Sequence, residues 1–449
     1  MKKFLLLFLL PGFAFGQNSE AEKLDKYLNS FLTVNDFSGT VLVIKNDKTL
    51  LDKSFGYADR ENKIQNTSDT KFRIGSCSKQ FTAIALLQLQ EQNKLSVTDK
   101  LSKYFTDIPK SDSITLDMLL THRSGIHDLY NDSLFRELNT PTLTKEKILE
   151  MIKVLPLDFS PGKKYHYTNS GYFLLALIIE KVSGETFDTY INDRVLKKAK
   201  MFSSGVDHND AILPNKAKGY ELENEKYVPA HYDNMNTSMG CGNLYSTAPD
   251  LYAYFQALEK NILLNENSKK MLLTPGKDNH TAGITDFKGN YAYGVIIDSL
   301  AKHALVTHGG WVYGFPSDIT MCFENKTLFV VFSNNDANVW GLSKGLQAVL
   351  FNVPIIYPYK YKEIKVDPAS LGKFVGEYGS IKIYMKNNEL HLNDTAHPEG
   401  EIKLHPETAT KFFYDGENDR QIEFQLDKNN KVSKGWLIDS GIKHPLQPK

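Results

Sequence analysis

Six serines of this chain are followed three residues later by a lysine, a spacing that could join a nucleophile to a base. They are Ser68, Ser76, Ser160, Ser299, Ser370 and Ser440. Only Ser76 stands directly before a long apolar run of strong helix formers, Gln80 to Gln90, which predicts a central and buried helix. Residues three apart share one helix face, so Ser76 and Lys79 would meet at its N-terminus.

This pair offers nucleophilic catalysis on a carbonyl group. Free backbone N–H groups at a helix N-terminus can receive a developing oxyanion, and a buried lysine can lose its proton and act as a base. The plainer alternative is that Ser76 only caps the helix. One tetrapeptide does not decide between the two, so the interpretation depends on further motifs.

Five segments, taken in order, resemble the serine β-lactamase and penicillin-binding-protein superfamily, most closely its class C-like, peptidase S12-type hydrolases and esterases. The nucleophile segment is Phe72-Arg-Ile-Gly-Ser-Cys-Ser-Lys79. The others are Leu119 to Gly125, Tyr165 to Tyr172 with its Tyr-x-Asn element, Gly240 to Asp250, and His308-Gly-Gly310. The resemblance extends over residues 20 to 350 and implies an acyl-enzyme hydrolase.

The resemblance also implies a role for each matching side chain. Ser76 would attack a carbonyl, and Lys79 and Tyr167 would pass its proton toward the leaving group. Asn169 would hold the Lys79 ammonium and a substrate amide. Taken alone, the tyrosine has the blander interpretation of a core residue and the asparagine that of a turn residue.

The strand motif would form the substrate-binding wall of the site. It comprises His308, Gly309, Gly310 and the following Trp311, whose backbone N–H would share the oxyanion with that of the nucleophile. The histidine stands where many relatives have the Lys of Lys-Thr-Gly. It could donate to Tyr167 or to a substrate carboxylate, as a weaker and pH-dependent cation. This difference favours the esterase, D-aminopeptidase and carboxypeptidase branches over dedicated β-lactamases.

Two other patterns are interpreted as structural. His122, His127 and Asp128 crowd together without a recognisable metal-ligand spacing, which favours a structural loop. Gly341-Leu-Ser343-Lys-Gly345 fits the Gly-x-Ser-x-Gly elbow of α/β-hydrolases. No strand leads directly into it, so the motif lacks its required context.

The N-terminus has the parts of a secretory signal, namely Lys2-Lys3, the apolar run Phe4 to Leu10 and small residues up to Gly16. We expect cleavage near Gly16/Gln17 and a periplasmic or secreted protein. The apolar run is too short to cross ~30 Å of hydrocarbon, so no membrane span is expected. The charges balance, with 53 basic and 53 acidic residues, which argues against nucleic acid as a partner.

The three cysteines, Cys77, Cys241 and Cys322, show no CxxC and no metal spacing. They are interpreted as buried small residues, with one disulfide left open.

Strands and helices from both ends of the main unit must hold the candidate site residues in place. Apolar runs, those near the N-terminus rich in Val and Leu, predict strands, and a helix is expected at 342–351. The predicted strands are residues 39–44, 49–57, 303–308, 317–323 and 328–332. The middle of the chain, 98–290, has mostly helical patterns. The two ends would therefore build one antiparallel sheet with helices on its faces, an α+β fold of the β-lactamase/transpeptidase-like kind.

Four segments are predicted. Residues 1–16 form the signal peptide, 17–352 the β-lactamase/transpeptidase-like catalytic domain, 353–366 a proline-containing linker and 367–449 a small all-β domain. We expect this tail domain to modulate the site.

The leading hypothesis is an exported serine hydrolase that forms a Ser76 acyl-enzyme with D-amino-acid peptides, β-lactams or small esters. Its substrate would be a small molecule or peptide, peptidoglycan fragments included, and the chemistry needs no metal or organic cofactor. The alternative is a catalytically silent binding or scaffold protein of penicillin-binding type. The joint presence of Lys79, Tyr167 and Asn169 beside the serine argues against that alternative.

Overall fold

The computed structural model describes residues 19–446, except 133–134, 136–139, 277–289, 395–396 and 417–418. The predicted signal peptide, residues 1–16, lies outside the described residues. The α+β class predicted from the sequence is confirmed.

A seven-stranded antiparallel sheet joins the two ends of the main unit, as predicted. Its strands are β1 (Gly39–Lys45), β2 (Lys48–Phe55), β3 (Asn290–Tyr291), β4 (Ile296–Leu300), β5 (His303–Val312), β6 (Phe315–Cys322) and β7 (Thr327–Ser333). They lie in the order β3-β4-β5-β6-β7-β1-β2. Gly39 pairs with Ser333, so the first strand of the chain lies beside the last strand of this unit.

Helices lie on both faces of this sheet and in the part of the chain that connects its two halves. They are α1 (Glu20–Leu32), α2 (Lys79–Glu91), α3 (Leu116–Leu120), α4 (Lys145–Val154), α5 (Asn169–Ser183), α6 (Phe187–Tyr190), α7 (Ala248–Glu259), α8 (Glu266–Leu272) and α9 (Val339–Leu350). The first begins at a capping box, in which the Ser19 hydroxyl accepts from the Glu22 N–H and the Glu22 carboxylate accepts from the Ser19 N–H. α1 and α9 pack on one face.

The other face carries α2, which is the predicted central helix. Every residue from Lys79 to Leu89 is buried, because α5, α7 and α8 enclose it within the larger core. An apolar helix of this kind has its lowest free energy inside the protein. The site residues at its N-terminus are therefore held by packing on every side of the helix.

Shorter elements complete the main unit. Short strands at Tyr57–Asp59 and Ile64–Gln65, at Phe72–Arg73, Leu244–Ser246 and Gly205–Val206, and at Tyr220–Glu223 and Lys226–Pro229 form three small sheets. One of these sheets pairs Arg73 with Tyr245, which fixes the chain just before the nucleophile segment.

The tail folds as an eight-stranded antiparallel meander with its own apolar core, so the all-β prediction is confirmed. Its strands are β8 (Gly376–Tyr378), β9 (Ile381–Lys386), β10 (Glu389–Asp394), β11 (His397–Pro406), β12 (Lys411–Tyr414), β13 (Arg420–Leu426), β14 (Val432–Asp439) and β15 (Ile442–Leu446). Residues 353–367 before it carry neither helix nor strand. The exact domain boundaries stay a prediction.

The tail sheet contacts the main unit directly. The Lys344 ammonium on α9 lies 3.3 Å from the Asp439 carboxylate. The segment between the two units is also tied to the tail, since the Ile356 N–H donates to the Gly441 carbonyl at 2.9 Å. In the described part of the chain, no helix combines the length and apolar character needed to cross a bilayer.

The Gly-x-Ser-x-Gly motif is not a nucleophile elbow. Ser343 lies inside α9, is buried, and donates a hydrogen bond of 2.5 Å to the Asp318 carboxylate. A serine in the middle of a buried helix has neither the sharp turn nor the access that the elbow provides.

Candidate active site

Ser76 occupies the entry to the central helix. It lies in a 3₁₀ turn, Gly75–Ser78, that continues directly into α2. It is only half-buried, whereas the residues on either side of it are buried. Gly75 has a φ of +47°, which favours glycine. A Cβ there would also lie 2.6 Å from the backbone nitrogen of Trp311, so glycine lets the turn approach β5 closely.

Lys79 lies one turn further on and is fully buried. Its Nζ donates to Ser76 Oγ at 3.1 Å, to Asn169 Oδ1 at 2.8 Å and to the Cys241 carbonyl at 2.8 Å. Burial lowers the pKa of Lys79 to about 8, against smaller opposing contributions from Cys241 and Asp128. A fraction of this lysine is therefore neutral near pH 7 and can accept the serine proton.

Asn169, at the start of α5, is itself held in place by Asp128. The Asp128 carboxylate accepts from the Asn169 backbone N–H at 2.9 Å and from its Nδ2 at 3.4 Å. With Nδ2 bound there, Oδ1 faces Lys79. Burial raises the pKa of Asp128, while the bond from the Asn169 backbone lowers it. The sequence analysis assigned Asp128, with His122 and His127, to a structural loop. The structure shows that this aspartate contacts a residue of the site.

Tyr167 lies beside the same pair. The Lys79 Nζ is 4.7 Å from the centroid of its ring, and the Ser76 side chain is near enough to its hydroxyl to act on the pKa of Tyr167 in the lowering direction. Burial raises the pKa of Tyr167 well above its ordinary value of 10. Of the two forms considered from the sequence, phenol and phenolate, the surroundings of the hydroxyl favour the phenol. A phenol can donate a proton to a leaving group.

His308 differs from the expectation of a pH-dependent cation. Its Nδ1 faces the Gly309 carbonyl at 2.6 Å, which requires N–H there, and its Nε2 lies 3.0 Å from the Tyr291 hydroxyl. Burial, with the nearby charge of Lys79, lowers the pKa of His308 to about 3. The ring is therefore neutral, and its centroid is 6.4 Å from that of Tyr167.

The glycines of the strand motif allow close approach to the nucleophile turn. A Cβ on Gly310 would lie 2.1 Å from the Ile74 carbonyl oxygen, and one on Gly309 would lie 2.4 Å from Nε1 of Trp340. Trp311 follows with its side chain half exposed. The structure thus brings the backbone of the expected second oxyanion donor against the turn that holds Ser76.

Three participants were missed from the sequence. They are the Cys241 carbonyl that binds Lys79, Asp128 that orients Asn169, and Tyr291 that bonds His308. A backbone carbonyl has no side-chain signature. Asp128 was noted only as part of a structural loop with His122 and His127, and Tyr291 stands in no motif recognised from the sequence. Only the fold brings the two to the site.

Groups that could hold a metal lie elsewhere. Among the residues described, two clusters bring three potential ligand atoms within 4.8 Å of one another, and neither includes a residue of the site. They are His303, Cys322 and Glu324, and Glu221, Glu223 and His231. All three cysteines are free and buried, so none is part of a disulfide.

Comparison with known proteins agrees with this arrangement. Residues 25–350 match the family model described as Beta-lactamase. PbpX of Bacillus subtilis (strain 168), which carries the name of a penicillin-binding protein, is 33% identical over 311 residues, covering 69% of this chain and 74% of that protein. The chain therefore belongs to the β-lactamase family.

Two further comparisons concern the class of the protein and its fold. Teichoic acid D-alanine hydrolase of Staphylococcus aureus is 27% identical over 317 residues, which cover 71% of this chain and 74% of that protein. The structure of the octameric penicillin-binding protein homologue from Pyrococcus abyssi superposes with a TM-score of 0.68 at 24% identity. It covers 95% of this chain and 99% of that one, so the two share their fold, tail included. The chain is a penicillin-binding-like serine hydrolase.

Proposed function

We propose that this protein hydrolyses D-alanyl esters or amides of the cell envelope through a Ser76 acyl-enzyme. The observation that carries the proposal is the 3.1 Å contact between Lys79 Nζ and Ser76 Oγ, at a lysine whose pKa burial lowers to about 8. The proton acceptor thus stands within hydrogen-bond reach of the nucleophile.

The reaction would proceed in two balanced halves. Neutral Lys79 takes the Ser76 proton while Oγ attacks the carbonyl carbon, and the bond to the leaving group breaks as Tyr167 donates its proton to it. The phenolate recovers a proton from the lysine ammonium. Water then attacks the acyl-enzyme and transfers a proton to Lys79. The lysine ammonium returns this proton to Ser76 Oγ as the acyl–oxygen bond breaks, which releases the carboxylic acid and restores the serine hydroxyl and the neutral lysine. The backbone N–H groups of Ser76 and Trp311 would stabilise the oxyanion in each half.

The neutral state of His308 supports the choice of substrate. β-Lactams and D-alanyl-D-alanine peptides carry a carboxylate beyond the bond that breaks, and a cation at this strand position would bind it. The His308 ring is uncharged, with its two nitrogens facing Gly309 and Tyr291. D-Alanyl esters and amides lack that carboxylate, and the relative named teichoic acid D-alanine hydrolase acts, by its name, on such a group.

A substrate in the cell envelope agrees with the predicted signal peptide, residues 1–16. We propose an extracytoplasmic location, periplasmic or secreted. Fractionation of cells that produce the full chain, followed by N-terminal sequencing of the extracytoplasmic form, tests the location and the cleavage near Gln17 together.

The first experiment is intact-mass spectrometry of wild type and Ser76→Ala after incubation with a fluorophosphonate and, separately, a fluorescent penicillin. We expect one fluorophosphonate adduct on wild type and none on the variant. The same two proteins are then given the methyl esters of D-alanine and L-alanine. Turnover of the D-ester alone, lost in Ser76→Ala, supports the proposal. No adduct and no turnover would contradict it and favour a binding protein.

A further inference from the structure

His122 lies next to Tyr167 without contacting Ser76 in any described hydrogen bond. It follows α3, is fully buried, and has a φ of +56°. Positive φ is uncommon for residues other than glycine, although histidine and asparagine adopt it more often than most. Such a conformation persists where surrounding contacts fix it, so the contacts of His122 are informative.

Two hydrogen bonds to His122 come from the residues on either side of Tyr167 in the chain. The backbone N–H of His166 donates to the His122 carbonyl at 2.9 Å. The backbone N–H of Thr168 donates to Nδ1 of His122 at 3.1 Å. One residue thus binds the backbone N–H groups of the residues before and after the tyrosine, which restricts rotation of the backbone that carries its side chain.

The imidazole also packs against the phenol ring itself. The ring centroids of His122 and Tyr167 are 4.3 Å apart with an interplanar angle of 36°. Tyr291 and Tyr172 lie on the same imidazole at 4.4 and 5.2 Å. The phenol therefore rests on a ring that is itself enclosed by aromatic side chains.

The charge state of His122 suits this position. Burial, followed by the charge of Lys79, lowers its pKa well below the ordinary value. Nδ1 accepts a hydrogen bond, so the single proton of the neutral ring is on Nε2, which has no hydrogen-bond partner among the described residues. A neutral ring keeps Nδ1 free of a proton, which it needs to accept the hydrogen bond from the Thr168 N–H.

We infer that His122 is a positioning residue, which fixes the Tyr167 phenol so that its hydroxyl reaches both Ser76 and the leaving group. This inference rests on the proposed function. A shift of about 1 Å in a proton donor reduces a rate by about 100-fold, so loss of this support is expected to be measurable.

Two variants of His122 test its hydrogen bond to the Thr168 N–H and its positive φ. His122→Leu has similar bulk but no acceptor for the Thr168 N–H, and leucine resists positive φ. His122→Asn places Oδ1 where Nδ1 was and tolerates positive φ, so it is the conservative partner. We expect kcat for D-alanine methyl ester to fall about 100-fold in His122→Leu with KM little changed, and less than about 10-fold in His122→Asn.

Comparing two leaving groups distinguishes a positioning role from a merely structural one, because a structural defect would reduce turnover of both esters equally. p-Nitrophenolate departs without protonation, so D-alanine p-nitrophenyl ester does not need the Tyr167 proton, whereas the methyl ester does. We expect His122→Leu to reduce turnover of the methyl ester much more than that of the p-nitrophenyl ester. In a Tyr167→Phe background, the added effect of His122→Leu is expected to be less than about twofold.

Equal losses on both esters, or the same loss in the Tyr167→Phe background as in wild type, would overturn the inference. If His122→Leu does not fold, by circular dichroism and thermal unfolding, the ester comparison is made with His122→Asn. A loss in that variant that is the same for the two esters would be equally decisive. An inert wild type, with no Ser76 adduct, would instead refute the proposed function, so the two failures are distinguishable.

Discussion

The Tyr291 hydroxyl donates a hydrogen bond of 3.0 Å to Nε2 of His308, and both rings are buried. Because Nδ1 donates to the Gly309 carbonyl, this bond leaves the histidine neutral. Residue 308, where a lysine would carry a fixed positive charge, is therefore uncharged. We expect the site to select against substrates that need a cation there to bind their carboxylate.

Introducing the charge should change the substrate preference. In His308→Lys, the ammonium can bind a substrate carboxylate, and a hydrogen bond to a charged group contributes about 1.5–3 kcal/mol. We expect the ratio of penicillin acylation to D-alanine ester acylation to rise about 10-fold or more, measured from adduct formation rates. His308→Gln is the neutral control and should leave the ratio unchanged. A ratio that does not rise in the lysine variant would contradict the carboxylate argument.

Acylation should depend on pH through Lys79. Its pKa is lowered to about 8 by burial, and the protonated form cannot accept the serine proton. The rate of Ser76 acylation is therefore expected to fall about tenfold per pH unit below 8 and to level off above it. The pKa of His308 is about 3 and that of Tyr167 is well above 10, so neither changes the profile between pH 5 and 9. A flat profile from pH 6 to 9 would contradict this assignment.

Lys79 should also affect the stability of the fold. A lysine in a salt bridge stabilises the folded state when charged, whereas the buried charge of Lys79 destabilises it. Its pKa is lower in the folded protein than the value of 10.5 expected for an unfolded chain, so the unfolded state binds more protons between pH 8 and 10.5. The destabilisation due to burying Lys79 is complete below pH 8 and declines as the pH rises to 10.5. In Lys79→Met this contribution is absent. Urea unfolding of both proteins at pH 7 and 10 measures the difference in pH dependence.

Asp128 should matter through the orientation of Asn169. Asp128→Ala removes the acceptor for the Asn169 N–H and Nδ2, so the amide loses the orientation that presents Oδ1 to Lys79. We expect a 10- to 100-fold loss of kcat/KM, of the size found when supporting contacts of a site are removed. Asp128→Asn keeps one acceptor oxygen and should retain more activity. Equal activity in all three proteins would rule out this role.

Gly310 should tolerate no side chain. A Cβ there would meet the Ile74 carbonyl oxygen at 2.1 Å and Ser317 Oγ at 2.4 Å, which forces β5 away from the nucleophile turn. We expect Gly310→Ala to lower acylation about 100-fold, as for loss of an oxyanion donor. Gly372→Ala is the matched control, because nothing lies within 4 Å of its Cβ. Comparable activity in the two variants would contradict the close approach.

Local sequence patterns were sufficient where the signal lies within one element. Ser76 and Lys79 lie one turn apart, and apolar runs marked five of the seven strands of the central sheet. The other two, Asn290–Tyr291 and Ile296–Leu300, were not predicted. The acceptor for Lys79 at Cys241 could not be predicted in this way, since any residue offers a carbonyl. Asp128 was assigned to a structural loop because its link to Asn169 spans 41 positions and depends on the path of the helical subdomain.

The state of His308 was beyond sequence analysis for a related reason. Its residue type suggested a cation, but the charge on an imidazole depends on burial and on the partners of its two nitrogens. One partner, Tyr291, comes from another strand of the sheet. Contacts of this kind are set by register and packing, and no short motif encodes them.

The three unpaired thiols have a practical consequence. Burial raises the pKa of Cys77 to about 12 and that of Cys241 to about 11, and Cys322 is also buried with a raised pKa. A thiol without thiolate character reacts slowly with alkylating reagents and oxidants. Folding thus needs no oxidative machinery, and the protein can be produced in a reducing cytosol and kept in reducing buffer. A single cysteine introduced at the surface would accept a maleimide dye alone, which makes the chain suitable for site-specific fluorescence measurements.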